Sequence, residues 1–342
     1  MELYTIGLFA NMYPAFEGDY RGIFIQQMVR DLEARGVTVK KAVKISPSVT
    51  GYFPFFWQSL RLVRNHELDV LQAEYIPHSS VIPVLLKKKG TPLILKFHGD
   101  DARIFPFKNR LNHMVTCSMI RWADYMITSS EEIRQIIIGL GGKPDQISVI
   151  HTGVDTDFFH PMPKLTCRKM LNIPAETDLF IFIGRLHIWK GVRELLTVAM
   201  KCPSITFVFI GPGKIPKHPN NCLFTGVKSL AEIRTWLNAA DCFILPTYTD
   251  AVPAVVMEAF ACGIPAITTD IGGCPEIVEQ GKSGLLVPVR NAERLKDAVV
   301  WMSNHPEDRV YMGKNARETA VSRYDHRILT GRLIEVHKAL IR

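Results

Sequence analysis

Two cations and two carboxylates in the second half of the chain have the types and spacing to hold a pyrophosphate-bearing ligand. Arg185 and Lys190 stand five residues apart in Gly184-Arg185-Leu186-His187-Ile188-Trp189-Lys190-Gly191. This stretch follows the apolar run Leu179–Ile183 and precedes a helical pattern, so both cations lie on a strand-to-helix loop, where a helix N-terminus already favours anions. Arg grips phosphate oxygens bidentately and Lys acts as a point charge; a solvated loop with incidental charges is the alternative. Farther along, Asp241–Glu276 reads as strand, helix and strand: Cys242–Leu245, a helix from Pro253 to Cys262 stopped by Gly263, and Pro265–Thr268. That helix is apolar on every face except for Glu258. A buried, ionised and unpaired carboxylate is destabilising by several kcal/mol, so Glu258 needs a partner, a ligand, or water in a cleft. Helical side chains lean toward the helix N-terminus, which carries Glu258 toward Asp250, eight residues earlier. A structural arginine beside Glu258 and a helix-cap role for Asp250 are the alternative.

In the first half, Leu93–Phe97 runs into His98-Gly99-Asp100-Asp101 at another strand's carboxyl end. An imidazole beside two carboxylates can be held in one tautomer and donate to a sugar hydroxyl or phosphate; a histidine capping a helix is the alternative. The loop Asn11–Gly22 is long, and Gly18 and Gly22 let the backbone approach a ligand.

The elements that must position these residues alternate along the whole chain. Strands are expected at Leu3–Phe9, Val37–Val43, Val70–Ala73, Leu93–Phe97, Tyr125–Ser129 and Ile147–Ile150, then at Leu179–Ile183, Thr206–Ile210, Cys242–Leu245, Pro265–Thr268 and Leu285–Val287. Helical patterns fill the gaps, which predicts an α/β fold with parallel sheets covered on both faces. A length of 342 residues suits two domains. The reading is two Rossmann-like, doubly wound lobes facing each other across a cleft, with a proline-rich linker near His151–Asn172. Boundaries are expected at 1–153 and 154–323, with a final helix, 324–342, returning to the first domain; the last 37 residues read as helical.

Composition narrows the class. With 47% hydrophobic and 22% charged residues the chain is a folded, soluble type, and no apolar run approaches the ~20 residues that span a bilayer. Residues 3–9 read as a first strand, not a signal peptide. Seven cysteines are scattered singly, which points to reduced thiols in a cytoplasm and against zinc. A net charge of +8, evenly spread, gives no nucleic-acid stripe and fits an anionic small ligand or an anionic membrane surface. Gly281-Lys282-Ser283 lacks the upstream glycine of a P-loop, because Glu276 stands there, and Gly211-Pro212-Gly213 lacks the third glycine of a dinucleotide fingerprint.

Together these segments resemble a family 4 glycosyltransferase of the GT-B fold, almost end to end. The carrying stretches are GIFIQQMVRDLEARGVTV (22–39), FHGDD (97–101), ADYMITSS (123–130), ISVIHTGVDTDFFHP (147–161), IGRLHIWKG (183–191), FIGPG (209–213) and DAVPAVVMEAFACGIPAITTDIGGCPEIVEQGKSGLLVP (250–288). The likeness runs toward enzymes that build bacterial cell-envelope polysaccharides and exopolysaccharides, including the teichuronic-acid type.

The resemblance implies retaining transfer from a nucleotide sugar, UDP-linked by preference and GDP-linked otherwise, to a glycan or lipid-linked acceptor, with no obligatory metal or other cofactor. It assigns the diphosphate to Arg185 and Lys190 and the ribose diol to Glu258. It places Asp250 near the donor sugar's anomeric centre and the backbone of Ala254 and Val255 at the distal phosphate. His98 falls beside the donor sugar, with Asp100 and Asp101 on the acceptor side, and Gly22, Gly184 and Val227 line the donor site. A cytoplasmic protein, peripheral at the inner membrane face, is implied as well. The chain departs from the family pattern in three places. Asp250 replaces the usual Glu and is followed by Ala251 where Gly is common; Arg21 replaces the first of two glycines; and Thr152-Gly153 replaces Asn-Gly. The shorter Asp250 leaves a second reading open, a non-catalytic nucleotide-sugar-binding subunit supporting a partner enzyme. A two-lobed solute-binding protein would require an export signal.

Overall fold

The computed structural model describes residues 4–16, 21–65 and 67–341; Gly18 and the start of the strand expected from Leu3 lie outside them. The chain divides into two compact units, one formed by Met1–Thr152 with His326–Arg342 and the other by Gly153–Asp325.

In the first unit, β1 (Thr5–Ala10), β2 (Thr38–Val43), β3 (Val70–Glu74), β4 (Leu93–Phe97), β5 (Tyr125–Thr128) and β6 (Ile147–Val149) form one parallel sheet in the order β2-β1-β3-β4-β5-β6. Every residue of β3 and β4 is buried, as expected for central parallel strands covered on both faces. In the second unit, β7 (Asp178–Ile183), β8 (Ile205–Ile210), β9 (Cys222–Gly226), β10 (Cys242–Leu245), β11 (Ala266–Thr269) and β12 (Gly284–Val287) run parallel in the order β12-β11-β10-β7-β8-β9. Phenylalanines in register stiffen its centre: Phe180 meets Phe207 at 6.0 Å between ring centroids, and Phe182 meets Phe209 at 5.7 Å. In each sheet the strand order switches sides once, at β1/β3 in the first unit and at β7/β10 in the second. Loops leaving the two strands of such a switch point diverge and leave a crevice at their carboxyl ends.

The helix His326–Ile341 belongs to the first unit. It buries Leu329, Leu333 and Ile334 in a core shared with Leu8, Ile25 and Leu32. Its start is fixed by Asp31, whose carboxylate pairs with His326 Nδ1 at 2.5 Å, and by Arg35, which donates to the Arg327 carbonyl at 2.6 Å.

Two expectations change. The segment His151–Asn172 is no linker beyond its first residues: Val154 pairs with Asp325, Phe159 and Cys167 are in the second core, and Arg168 is buried with bonds to the Ala239 carbonyl and Asp241. Its prolines shape a packed connection. Strand β9 was not anticipated, because only Cys222 of its five residues is buried and an edge strand of that kind has no apolar run. The end of the chain is helical, as read: Pro306–Thr319 continues through a wider π-helical stretch, Ala320–Tyr324, and after the extended Asp325 comes His326–Ile341.

Because the terminal helix completes the first core, Leu333→Ala should destabilise that unit by about 2–5 kcal/mol. Hydrogen exchange should accelerate in β1, β3 and β4 while β7, β8 and β10 keep their protection; equal acceleration in both sheets would contradict this.

Candidate active site

Chain packing at the β7/β10 switch pairs one predicted cation, Lys190, with one predicted carboxylate, Asp250, and holds Arg185 on the same loop. After β7, the Gly184 N–H donates to the Ile210 carbonyl at 2.9 Å and the Leu186 N–H to the Pro212 carbonyl at 2.8 Å. A Cβ on Gly211, whose φ is +139°, would lie 2.1 Å from the Gly184 oxygen. Gly211-Pro212-Gly213 is thus the seat of the Arg185 loop, a role in which a missing side chain matters and a third glycine does not. Arg185 is exposed, and its side chain makes no hydrogen bond or ion pair among the described residues.

The loop continues through a single tight turn, Ile188–Lys190, to Gly191. Trp189 offers its carbonyl to the Tyr248 N–H at 2.8 Å and to the Thr247 hydroxyl at 3.1 Å, tying this loop to the one after β10. Tyr248 adds a hydroxyl bond to Glu194 at 2.5 Å and lies under the Arg290 guanidinium. Lys190 Nζ therefore reaches Asp250 Oδ2 at 2.6 Å in a partly exposed ion pair. Such a pair is worth at most about 1 kcal/mol by itself, so little opposes rearrangement when a stronger anion arrives.

Helix Ala254–Ala261 follows, with Pro253 as its cap and Ala254 exposed at its start. The N–H groups of a first helical turn lack intrahelical acceptors, so Ala254 and Val255 present donors. Val256, Met257, Ala259, Phe260 and Ala261 are buried. Glu258 is half-buried, and its carboxyl has no hydrogen-bond or ion-pair partner among the described residues. Arg317, which packs against the same helix, donates instead to the carbonyls of Thr156, Phe159 and Ala261. Burial pushes the Glu258 carboxyl up to about 7. Val227 is exposed just past β9. Lys282 of the rejected P-loop pairs with Glu279 in a surface turn.

In the first unit, Gly22 caps the helix Ile23–Ala34 with φ +67°, and a Cβ there would lie 2.7 Å from the Met12 carbonyl oxygen. The expectation that Asp100 and Asp101 flank the His98 imidazole is corrected. Asp101 is buried and its carboxylate accepts the backbone N–H groups of His98, Gly99 and Ile76 at 2.8–3.3 Å. It therefore fixes the turn, while Asp100 is exposed. The imidazole instead meets Glu74: His98 Nε2 lies 2.5 Å from Glu74 Oε2. Tyr75 stacks on the ring at 4.3 Å and Phe24 covers it at 5.1 Å. Burial would raise the Glu74 carboxyl, but the Lys96 charge and the His98 and Gln72 hydrogen bonds overcome it and hold it at about 2. Sequence reading missed Glu74; its signal is a pair of polar residues, Gln72 and Glu74, alternating within an otherwise apolar central strand.

Comparison with known proteins decides the family. Residues 10–158 match the model for Glycosyltransferase Family 4, and residues 164–319 match that for Glycosyl transferases group 1. The chain belongs to these glycosyltransferases. A putative teichuronic acid biosynthesis glycosyltransferase of Bacillus subtilis is 26% identical over 274 residues, covering 78% of this chain and 70% of that one. The D-inositol 3-phosphate glycosyltransferase of Mycobacterium tuberculosis is 27% identical over 219 residues, covering 59% of this chain and 46% of that one. Among solved structures, sucrose-phosphate synthase of Thermosynechococcus elongatus matches with a TM-score of 0.82 at 18% identity, covering 98% and 99% of the two chains. Anabaena HepE in complex with UDP matches with a TM-score of 0.78 at 19% identity, covering 98% and 100%. These likenesses establish the GT-B fold, two parallel six-stranded sheets with flanking helices.

In this glycosyltransferase the unpaired Glu258 has a measurable signature. A carboxyl raised in the folded state withdraws stability as pH climbs from its ordinary value near 4.5 to about 7. Glu258→Gln removes that loss. Its melting temperature should match wild type near pH 4 and exceed it at pH 8, by an amount corresponding to at most roughly 3 kcal/mol. A lower melting temperature at pH 8 would reveal an ion pair instead.

Proposed function

We propose that this glycosyltransferase is a retaining enzyme of polysaccharide biosynthesis. It moves a sugar from a nucleotide sugar, UDP-linked by preference over GDP-linked, to a glycan or lipid-linked acceptor. The observation that carries the reading is the β7/β10 switch point, where Arg185, the Lys190–Asp250 pair and the unpartnered Glu258 sit on adjoining loops and helix. Support for a uridine donor comes from the structural neighbour HepE, which has been solved with UDP and with UDP-glucose. Support for an envelope acceptor comes from the Bacillus subtilis relative, named for teichuronic acid biosynthesis.

In this reading the donor's diphosphate meets Arg185, Lys190 and the N–H groups of Ala254 and Val255. Its ribose hydroxyls donate to the Glu258 carboxylate. Asp250 and His98 hold the sugar, with Asp250 near the anomeric carbon, and Gly22, Gly184 and Val227 border the donor. The bond from the anomeric carbon to the phosphate oxygen breaks, and the acceptor oxygen bonds to the same face of that carbon. The acceptor proton passes to the departing phosphate. Charge accumulates on the leaving group, where fixed cations and helix donors stabilise it without reorganisation. No metal or other cofactor is required in the proposal.

A membrane-facing surface is part of the same reading. Helix Tyr52–Asn65 buries Phe55, Ser59, Leu62 and Val63, whereas Phe53, Trp57, Arg61 and Arg64 form an exposed stripe at helical spacing. Phe55 is thus core, but Phe53 and Trp57 are 72% and 60% exposed. The neighbouring helix Val81–Leu86 packs on this one and runs into Lys87-Lys88-Lys89. Aromatics at the headgroup level beside cations suit an anionic surface, at about 1 kcal/mol per basic residue. Among the described residues no helix is long and apolar enough to cross a membrane. The proposed location is the cytoplasmic face, held peripherally; nucleic acid has no place in the reading.

Enzyme kinetics, a panel of donors and vesicle binding test it. Arg185→Ala should lower kcat/KM with the accepted nucleotide sugar by about 30–1,000-fold, roughly 2–4 kcal/mol of transition-state stabilisation, and EDTA should leave wild-type turnover intact. Failure of every UDP- or GDP-sugar to be hydrolysed or transferred would favour the non-catalytic subunit. On vesicles, binding should rise with anionic lipid, weaken with salt and fall in Phe53→Ser/Trp57→Ser. Binding indifferent to all three would make the stripe an ordinary surface.

A further inference from the structure

Behind His98 lies a buried polar chain that the reading of the donor site does not use. Tyr4 Oη is 2.9 Å from His337 Nδ1, His337 Nε2 is 2.7 Å from Gln72 Oε1, and Gln72 Nε2 is 2.5 Å from Glu74 Oε1. The other Glu74 oxygen meets His98 Nε2 at 2.5 Å. Gln72, Glu74 and His337 have no exposed surface, and Tyr4 has 7%. A chain of this kind has a readable direction. An ionised carboxylate only accepts, and the Lys96 charge beside Glu74 keeps it ionised. Gln72 must then present its amide N–H to Glu74 and its oxygen to His337. His337 must donate from Nε2, which leaves Nδ1 to accept the Tyr4 hydroxyl. Its burial and the nearby Lys96 charge hold His337 neutral, with its imidazole lowered to about 3, which agrees with that assignment. From the opposite side, His98 must donate from Nε2 to Glu74.

We propose that Glu74 is a positioning residue: it commits His98 to the Nε2–H tautomer, so that Nδ1 is the ring's remaining nitrogen, available as a hydrogen-bond acceptor, and the terminal helix, through His337 and Gln72, holds Glu74 in place. This rests on the reading of His98 as a contact of the donor sugar. It also revises the chemistry expected there. With Nε2 committed to Glu74, the role left for Nδ1 is to take a hydroxyl hydrogen from the sugar, where the earlier reading had the ring donate one. Tyr75 and Phe24 fix the plane of the ring, and Glu74 fixes which nitrogen is free. The anchor is unusual in coming from the far end of the chain, since His337 and Tyr4 are 333 residues apart. Outer partners that orient a functional imidazole in this way typically carry effects of about 10–100-fold.

The tautomers can be read directly on the ligand-free protein by nitrogen NMR with ¹⁵N-labelled histidine, the two signals being assigned from His98→Gln and His337→Gln. In wild type both His98 and His337 should carry a ring proton on Nε2 and leave Nδ1 unprotonated. A wild-type His98 in the Nδ1–H form overturns the proposal without any Glu74 variant having to fold. Glu74→Gln replaces a group that accepts on both sides with one that accepts on one side and donates on the other. One of the two histidines must therefore switch tautomer; no change in either overturns the proposal. In kinetics, Glu74→Gln should lower kcat by about 10–100-fold with donor KM little changed, and Glu74→Asp should recover part of that loss. If His98→Gln is impaired and Glu74→Gln is not, the positioning role fails. If His98→Gln itself turns over normally, the donor-contact reading fails, and the NMR result still decides the tautomer.

Discussion

A Cβ on Gly191 would sit 1.9 Å from the carbonyl oxygen of Pro246, so the loop after β7 and the loop after β10 meet backbone to backbone. That approach governs the proposed donor site. It lets the Trp189 carbonyl take two hydrogen bonds from the second loop and brings Lys190 within 2.6 Å of Asp250. On the other side of the same loop, Gly211 performs the equivalent service against Gly184. Ion pairs that are half in water are too weak to dictate where loops lie. Main-chain contact dictates it, and the charged groups are carried to their places by the packing of neutral atoms.

The two units each contain a carboxylate removed from water, Glu74 fully and Glu258 in part, with opposite surroundings. Glu74 is enclosed by a lysine, an imidazole and an amide that all favour its anion, whereas Glu258 has apolar neighbours and no partner among the described residues. Burial raises a carboxyl in both cases; what differs is whether anything inside the protein answers the charge. Glu74 is satisfied within the fold, which suits a residue that holds another in place. Glu258 is left for something from outside, which suits a residue that binds.

Much of this was legible in the sequence because it depends on periodicity. Central strands such as Leu93–Phe97 and Cys242–Leu245 are continuous apolar runs, and both were placed to the residue. The cations of the β7 loop and the lone acid of the apolar helix also stood out, since each violates its local pattern. What escaped detection depends on contacts between distant segments. Strand β9 has one buried residue, so pairing and not hydrophobicity defines it. The partner of His98 lies 24 residues upstream, not in the adjacent Asp100-Asp101, because backbone donors of the tight turn had already taken Asp101. His337 sits in a helix whose polar neighbours hide it, and nothing local ties it to Tyr4 or Gln72.

The order in which the chain emerges during synthesis gives the last helix another significance. The second unit is one continuous stretch, Gly153–Asp325, and every strand and helix it needs is present once residue 325 has left the ribosome. The first unit begins earlier and finishes later. Its core still lacks Leu329, Leu333 and Ile334, and Gln72 still lacks the imidazole it bonds, until the terminal helix is made. Domains commonly fold in the order they are translated. Here the order is inverted: the half that starts first is completed last, and its open flank must stay free of wrong partners for the time it takes to translate the whole of the other half.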